Sequence, residues 1–234
     1  MLTLPQVTIV AIDCVTPAEA VKALRYSMRG IKFKEAVLFT TDPIQDPRHS
    51  MYLPDIRLVG IPKLDLNGYS DFCLRLSQYI DSDYVLIIQK DGFVTNPEMW
   101  SPEFLKYDYI GAAWSNEESW IEKQTAKAYI RDVFSQNRVG NGGFSLRSRK
   151  FLEVSSHFKN CGGYGEDCFL CTINYHYMVA QGIKFAPLQL SYNFSYENPL
   201  AEFGNEYRLD PMAHFGFHGH QFHNSEEVIN SKNV

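Results

Sequence analysis

No stretch of the 234-residue chain holds the roughly 18 uninterrupted apolar residues that a membrane-spanning helix needs. The start, MLTLPQVTIVAID, has neither a basic n-region nor a small-residue cleavage site, so the expected location is the cytoplasm, bacterial or, for a viral protein, that of the host. Cysteine is scarce and odd in number. Cys14, Cys73, Cys161, Cys168 and Cys171 lie in apolar or helical contexts, which argues against a disulfide framework and for reduced, buried thiols. Cys168 and Cys171 form a C-x-x-C, yet no second closely spaced ligand pair accompanies them, and the pair reads as core rather than zinc site. Nor is there an excess of positive charge: the net charge of -5 weighs against broad, non-specific nucleic-acid binding while leaving room for a local basic groove. Internal repeats, low-complexity tracts and linkers are also missing.

What is present is core material. Hydrophobic residues make up 45% of the chain, aromatics 14% and charged residues 21%, the balance of one medium-sized soluble domain or a compact pair of subdomains that needs no staple or structural metal. Val7 to Val15 is a β-branched and apolar run broken only by Asp13, as in a strand buried on both faces. Pro17 then opens a helix with Val21, Leu24 and Met28 on one stripe, and Gly30 stops it. Strands are expected at Glu35 to Thr40, Ile56 to Ile61 and Tyr84 to Ile88, with a helix capped by Ser70 and Asp71 before the last of them. This order implies a mostly parallel, helix-covered sheet of Rossmann type. After residue 100 come shorter strands, a polar Ser115 to Asn137 segment, a helix ended by Gly182, and an extended aromatic stretch from Lys184 to Ser195.

In open α/β sheets ligands bind beyond the carboxyl ends of the strands, and those ends carry Asp13, Thr41-Asp42 and Gln89-Lys90-Asp91. Asp91 at a strand terminus can hold a divalent cation against a diphosphate; it can equally start a turn with Gly92. Gln89 reduces the charge available to a metal. Gly140-Asn141-Gly142-Gly143 lacks both the dinucleotide fingerprint and the P-loop pattern. Its glycines let backbone approach a ligand, or form a tight turn, and Asn141 offers a donor and an acceptor to sugar hydroxyls. Glu166-Asp167 follows a glycine-rich approach at a helix start. Adjacent carboxylates there serve either as first-turn charges or as a base with an acceptor-orienting partner. His218 and His220 flank Gly219 near the end of the chain and can ligate a metal or touch a phosphate.

Five segments in order, YVLIIQKDGFV (84–94), YDYIGAAW (107–114), GNGGFSLR (140–147), GYGEDCF (163–169) and FGFHGH (215–220), resemble the GT-A class of nucleotide-sugar glycosyltransferases. The resemblance is nearest to a group, found in bacteria and viruses among others, with Q-x-D in place of D-x-D. It implies one GT-A-like domain over residues 1–234, with a donor half to about residue 95 and an acceptor and catalytic half from about 96. Asp13, Thr41 and Asp42 would line the nucleotide pocket, with Gln89 and Asp91 near the diphosphate. Asp91 and His218 would ligate Mn²⁺ or Mg²⁺, and Asn141, Gly142 and Gly143 would contact the donor sugar. Glu166-Asp167 looks like the G-G-E-D loop of β-1,4-galactosyltransferases, which makes Asp167 the base and Glu166 the acceptor-orienting group. The implied activity is hexosyl or pentosyl transfer from a nucleotide-diphosphate sugar to a hydroxyl of a bacterial surface glycan or similar saccharide. Two alternatives stand beside it. One is a viral enzyme that glycosylates hydroxymethylated pyrimidines in DNA, with Lys123, Lys127, Arg131 and Arg138 as a phosphate-contacting strip. The other is a non-catalytic carbohydrate-binding module.

Overall fold

The computed structural model describes residues 1–41, 53–115, 127–203 and 213–219. Asp42, Lys123 and His220 lie outside the described residues, as does the side chain of Lys127.

A six-stranded sheet of order β3-β2-β1-β4-β7-β6 forms the centre. Its strands are β1 (Leu2–Ile12), β2 (Ile31–Thr40), β3 (Arg57–Gly60), β4 (Tyr84–Ile88), β6 (Tyr109–Gly111) and β7 (Ser145–Ser148). The first four run parallel, and β7 lies antiparallel to β4 on one side and β6 on the other. β7 is therefore the one reversed strand of this sheet, and β6 beyond it runs with the first four again. A smaller sheet, β5-β9-β8, joins Gly92–Val94 (β5), Ser195–Tyr196 (β8) and Gly216–His218 (β9).

The central position of β1 follows from its sequence: Val7 to Ile12 are all buried, because neighbours on both edges and elements on both faces cover them. Helix α1 (Pro17–Ser27) has Pro at its start, buries Ala20, Ala23 and Leu24, and yields to Gly30, whose φ of 74° suits a residue without Cβ. Helix α2 (Leu66–Cys73) starts earlier than expected. Asp65, not Ser70 or Asp71, is its cap, accepting from the Gly68 amide at 2.7 Å. The carboxylate of Asp71 is engaged elsewhere, accepting from the Cys161 amide at 2.7 Å.

Helix α3 (Lys127–Gln136) occupies part of the polar segment, and α4 (Arg149–Ser155) is capped by Ser148, whose hydroxyl accepts from the Phe151 amide. A helical turn, α5 (Glu166–Cys168), continues through a π-turn at Phe169–Ile173 into α6 (Tyr175–Ala180), and Gly182 ends it at φ 77°. The aromatic stretch from Lys184 corrects the extended reading. Leu188–Phe194 is a helix, α7, because Pro187 sets an extended entry and LQLSYNF contains no β-branched residue to oppose helix.

A layer of rings fastens the small sheet to the large one. Phe93, Phe104, Phe144, Phe194, Phe215 and Phe217 are fully buried, with edge contacts such as Phe93 to Phe217 at 4.8 Å and Phe104 to Phe194 at 5.1 Å between centroids. This packing sets where β9, and hence His218, comes to rest. Leu86 sits at the middle of β4 with no exposed surface. Leu86→Ala is expected to cost about 2–5 kcal/mol through lost burial and the cavity left behind, lowering the urea midpoint with the slope unchanged.

Candidate functional site

The carboxyl ends of β1 and β4 open into a cleft of about 420 Å³ whose walls include Asp13, Thr16, Asp65, Tyr69, Gln89 and Asp91. Its position is the one expected for a parallel sheet. Asp13 is engaged locally: its carboxylate accepts from the Val15 and Thr16 amides at 2.7 and 2.6 Å and from the Thr16 hydroxyl at 3.0 Å. It shapes the loop into α1 while still facing the cleft. Thr41 follows β2 and is not part of the cleft's described lining.

Gln89 and Gly92 exchange backbone hydrogen bonds at 2.9 and 3.1 Å, so Lys90 and Asp91 form the tip of a tight reversal. Pairing of β5 with β9 then sets His218 opposite Gly92. The His218 Nε2 atom lies 3.3 Å from Gln89 Oε1 and 3.9 Å from Asp91 Oδ1, and its Nδ1 lies 3.3 Å from Glu197 Oε1. Gln89 donates through Nε2 to the Tyr69 hydroxyl at 2.9 Å, which turns Oε1 towards the histidine. Burial acts to lower the His218 pKa, but the hydrogen bond to Glu197 and the fields of Glu197, Asp91 and Asp167 outweigh it and raise the value. Among the described residues no three His, Cys, Asp or Glu side chains converge as a metal site. The group here is one imidazole, one carboxylate and one amide oxygen.

The glycines of the 140–143 loop serve close packing. A Cβ on Gly143 would overlap the His218 imidazole, and one on Gly142 would lie 2.6 Å from Glu166 Oε1. Asn141 is buried with both ends of its amide in use, donating to Glu197 Oε1 at 2.6 Å and accepting from the Gly143 amide at 3.1 Å. Its side chain braces the loop through these two bonds.

Asp167 and Glu166 face different ways. Asp167 is partly exposed and accepts from the Gly142 amide at 3.1 Å and the Cys168 amide at 2.6 Å. Burial and the neighbouring Glu166 charge push its pKa up to about 7, against the pull of those amides and Arg147. Glu166 is turned inward, its Oε1 2.8 Å from Arg147 NH2, with side-chain exposures of only 6% and 1%. That contact uses the carboxylate expected to orient an acceptor, because a buried carboxylate beside a buried guanidinium cannot leave it unpaired. Burial alone would lower the Arg147 pKa; the charge and hydrogen bond of Glu166 act against it, and the guanidinium stays charged.

Two contributors had no role in the sequence reading. Arg147 stood in a quoted segment, its one signal being a cation in an otherwise apolar or small-residue strand. Glu197 follows β8 and carries no local pattern. Of the basic strip, Arg131 is exposed, whereas Arg138 is buried and ion-paired with Glu202 at 2.5 Å, which removes it from any phosphate-contacting surface. Cys168 and Cys171 are buried, reduced thiols whose pKa values desolvation raises, as expected for core.

The family model described as a protein of unknown function, DUF5672, matches residues 64–218. The chain belongs to the DUF5672 family. No curated protein matches it in sequence. Among solved structures, this DUF5672 chain is similar to galactosyltransferase LgtC in complex with donor and acceptor sugar analogs. The identity is 14%, the TM-score 0.53, and the match covers 97% of this chain and 94% of that one. An active-site mutant of LgtC matches with the same identity and coverages at a TM-score of 0.52. Glucosyl-3-phosphoglycerate synthase from Mycobacterium tuberculosis, in complex with Mn²⁺, uridine diphosphate and glucosyl-3-phosphoglycerate, matches at 13% identity and a TM-score of 0.50, over 80% of this chain and 75% of that one. The DUF5672 chain thus has the GT-A glycosyltransferase fold.

The buried pair gives a direct test of the inward role of Glu166. Glu166→Leu or Arg147→Met alone should lower stability by about 3–5 kcal/mol, whereas the two substitutions together should recover most of that loss. Urea unfolding of the four proteins measures the coupling. Additive losses would place Glu166 outside the pair.

Proposed function

We propose that the protein is a glycosyltransferase that moves a hexosyl or pentosyl group from a nucleotide-diphosphate sugar to a hydroxyl of a saccharide acceptor. The observation that carries this reading is the meeting of Gln89 Oε1, Asp91 and His218 Nε2 at the edge of the cleft beyond β1 and β4, with the Asp167 carboxylate close enough to act on His218. The cleft, walled by Asp13, Tyr69 and Gln89, takes the nucleotide. Gly142 and Gly143 keep the loop close to the cluster, so their backbone is what a donor sugar meets.

The donor set suits a divalent cation. When the ring is neutral and its Nδ1 hydrogen is directed at Glu197, His218 Nε2, Gln89 Oε1 and Asp91 Oδ1 are three acceptors near one another with no hydrogen-bond donor among them. Asp91, His218 and Gln89 would hold Mn²⁺ or Mg²⁺, which supplies charge neutralisation for a diphosphate leaving group. One carboxylate makes this a weaker site than a paired-Asp one. The M. tuberculosis synthase that shares this fold was crystallised with Mn²⁺ and uridine diphosphate, which supports the assignment.

Asp167 takes the proton of the attacking hydroxyl. Two backbone amides fix its carboxylate, and its raised pKa makes it a better base than an ordinary aspartate. Glu166 acts through Arg147 to hold the loop that donates to Asp167. A glycan is the acceptor we favour, given the net charge of -5 and the engagement of Arg138 by Glu202.

Release of nucleoside diphosphate from uridine, guanosine and thymidine diphosphate sugars, with oligosaccharide or hydroxymethylated duplex DNA as acceptor, tests this reading. Turnover with the oligosaccharide is expected. Turnover with DNA alone would transfer the assignment to DNA modification, and none with any donor would mark a binding module. Asp167→Asn should lower turnover by about a hundredfold or more and leave donor affinity almost unchanged. Near-normal transfer would remove Asp167 from the chemistry. The pH profile carries a sign: the active form is deprotonated, so log kcat should rise with unit slope up to about pH 7 and level off above it. A chelator should abolish turnover, and added Mn²⁺ restore it.

A further inference from the structure

We propose that Glu197 is a positioning residue that locks the His218 ring with hydrogen on Nδ1 and a bare Nε2 aimed at the Gln89 and Asp91 oxygens, so that the ring meets a divalent cation already oriented. The proposal rests on the metal-assisted reading above and assigns a residue that neither the strand-end motif nor the histidine segment contains.

The argument starts from which atoms can donate. An ionised carboxylate only accepts, so the 3.3 Å approach of Glu197 Oε1 to His218 Nδ1 requires the hydrogen to be on Nδ1. In the neutral ring Nε2 then carries a lone pair, and 3.3 Å away it faces Gln89 Oε1, another acceptor. The amide donates through its Nε2 to the Tyr69 hydroxyl at 2.9 Å, which leaves Oε1 on the side of the ring. Asp91 Oδ1, 3.9 Å from Nε2, adds a third acceptor. A cation entering among these atoms replaces the Nε2 proton of the charged ring and meets three acceptors, and Glu197 is what holds the ring in that orientation.

Glu197 is itself held. Asn141 donates to the same Oε1 at 2.6 Å and is anchored in turn through the Gly143 amide. Its second oxygen, Oε2, is buried and has no hydrogen-bond partner among the described residues. A carboxylate behind a histidine ligand fixes the ring's tautomer and raises its basicity towards metal, and losing such a partner typically weakens metal binding by about 10–100-fold.

The experiment uses the full chain with two readouts besides turnover. Electron paramagnetic resonance of free Mn²⁺, with and without uridine diphosphate, gives metal affinity. Ring ¹⁵N shifts of His218 in metal-free protein, recorded where the ring is neutral, give the tautomer. Wild type should bind Mn²⁺ and show the Nδ1–H form. Glu197→Gln, which keeps shape and an acceptor but loses the charge, should weaken Mn²⁺ binding by about tenfold and keep the tautomer. Glu197→Ala should weaken it further and shift the ring towards the Nε2–H form. Wild-type Mn²⁺ affinity in Glu197→Gln, or an Nε2–H ring in the parent, would overturn the proposal while leaving the metal-assisted reading in place. A parent protein that binds no Mn²⁺ in either condition would overturn both.

Discussion

The ion pair between Arg147 and Glu166 is the constraint from which the rest of the site is hung. Arg147 sits on β7 with almost no exposed surface, its guanidinium 5.4 Å from the Tyr109 ring centre and 6.0 Å from that of Phe151. It donates to Ser145 Oγ and to Glu166, and lies 3.5 Å from the Gly142 carbonyl. Burying two charges is not a cheap route to stability, since desolvation offsets most of their attraction. What the pair supplies is geometry. It ties the end of the 140–143 loop to α5, which places the Gly142 amide against Asp167.

From that anchor a chain of contacts runs across the rim of the sheet. Tyr109 donates its hydroxyl to the Gly140 and Asn141 carbonyls at 2.8 and 2.9 Å. Asn141 bonds Glu197, Glu197 meets His218, His218 meets Gln89, and Gln89 bonds Tyr69. The chain thus crosses from the late part of the sequence to the helix that walls the cleft. The links share members and are buried or partly so, so a displaced member moves its neighbours as well. The three glycines of the loop belong to the same logic, because side chains at Gly142 or Gly143 would fill the space the links occupy.

Much of the scaffold was legible in the residues. The apolar runs of β1 and β4, the Pro17 start and Gly30 stop of α1, and polar residues collected at strand ends all carry their meaning locally, as does Gly182. The start of α2 was misplaced because Ser70-Asp71 and Asp65 are equally good caps in sequence, and the choice turns on Asp71 being bound to a backbone amide 90 positions later. Helix α7 was missed because an aromatic-rich heptad reads as strand until Pro187 and the missing β-branched residues are weighed. In the site, Asp91, Asp167 and His218 could be nominated from their settings. The inward turn of Glu166 could not, since its partner lies 19 residues away on a strand. Glu197 was silent for the same reason: its role exists only where β8 and β9 lie side by side.

The reversal of β7 has a consequence for how the rim is held. Its backbone is paired on both sides, to β4 through Tyr84 to Ile87 and to β6 through Tyr109 to Gly111. Because it runs against its neighbour β4, its beginning, not its end, lies at the rim where β4 terminates, and the 140–143 loop leads directly into it. The loop is thus anchored at its downstream end by a strand held through two ladders. Substitutions deep in β4 or β6 that shift either ladder therefore reach the rim through the register of β7.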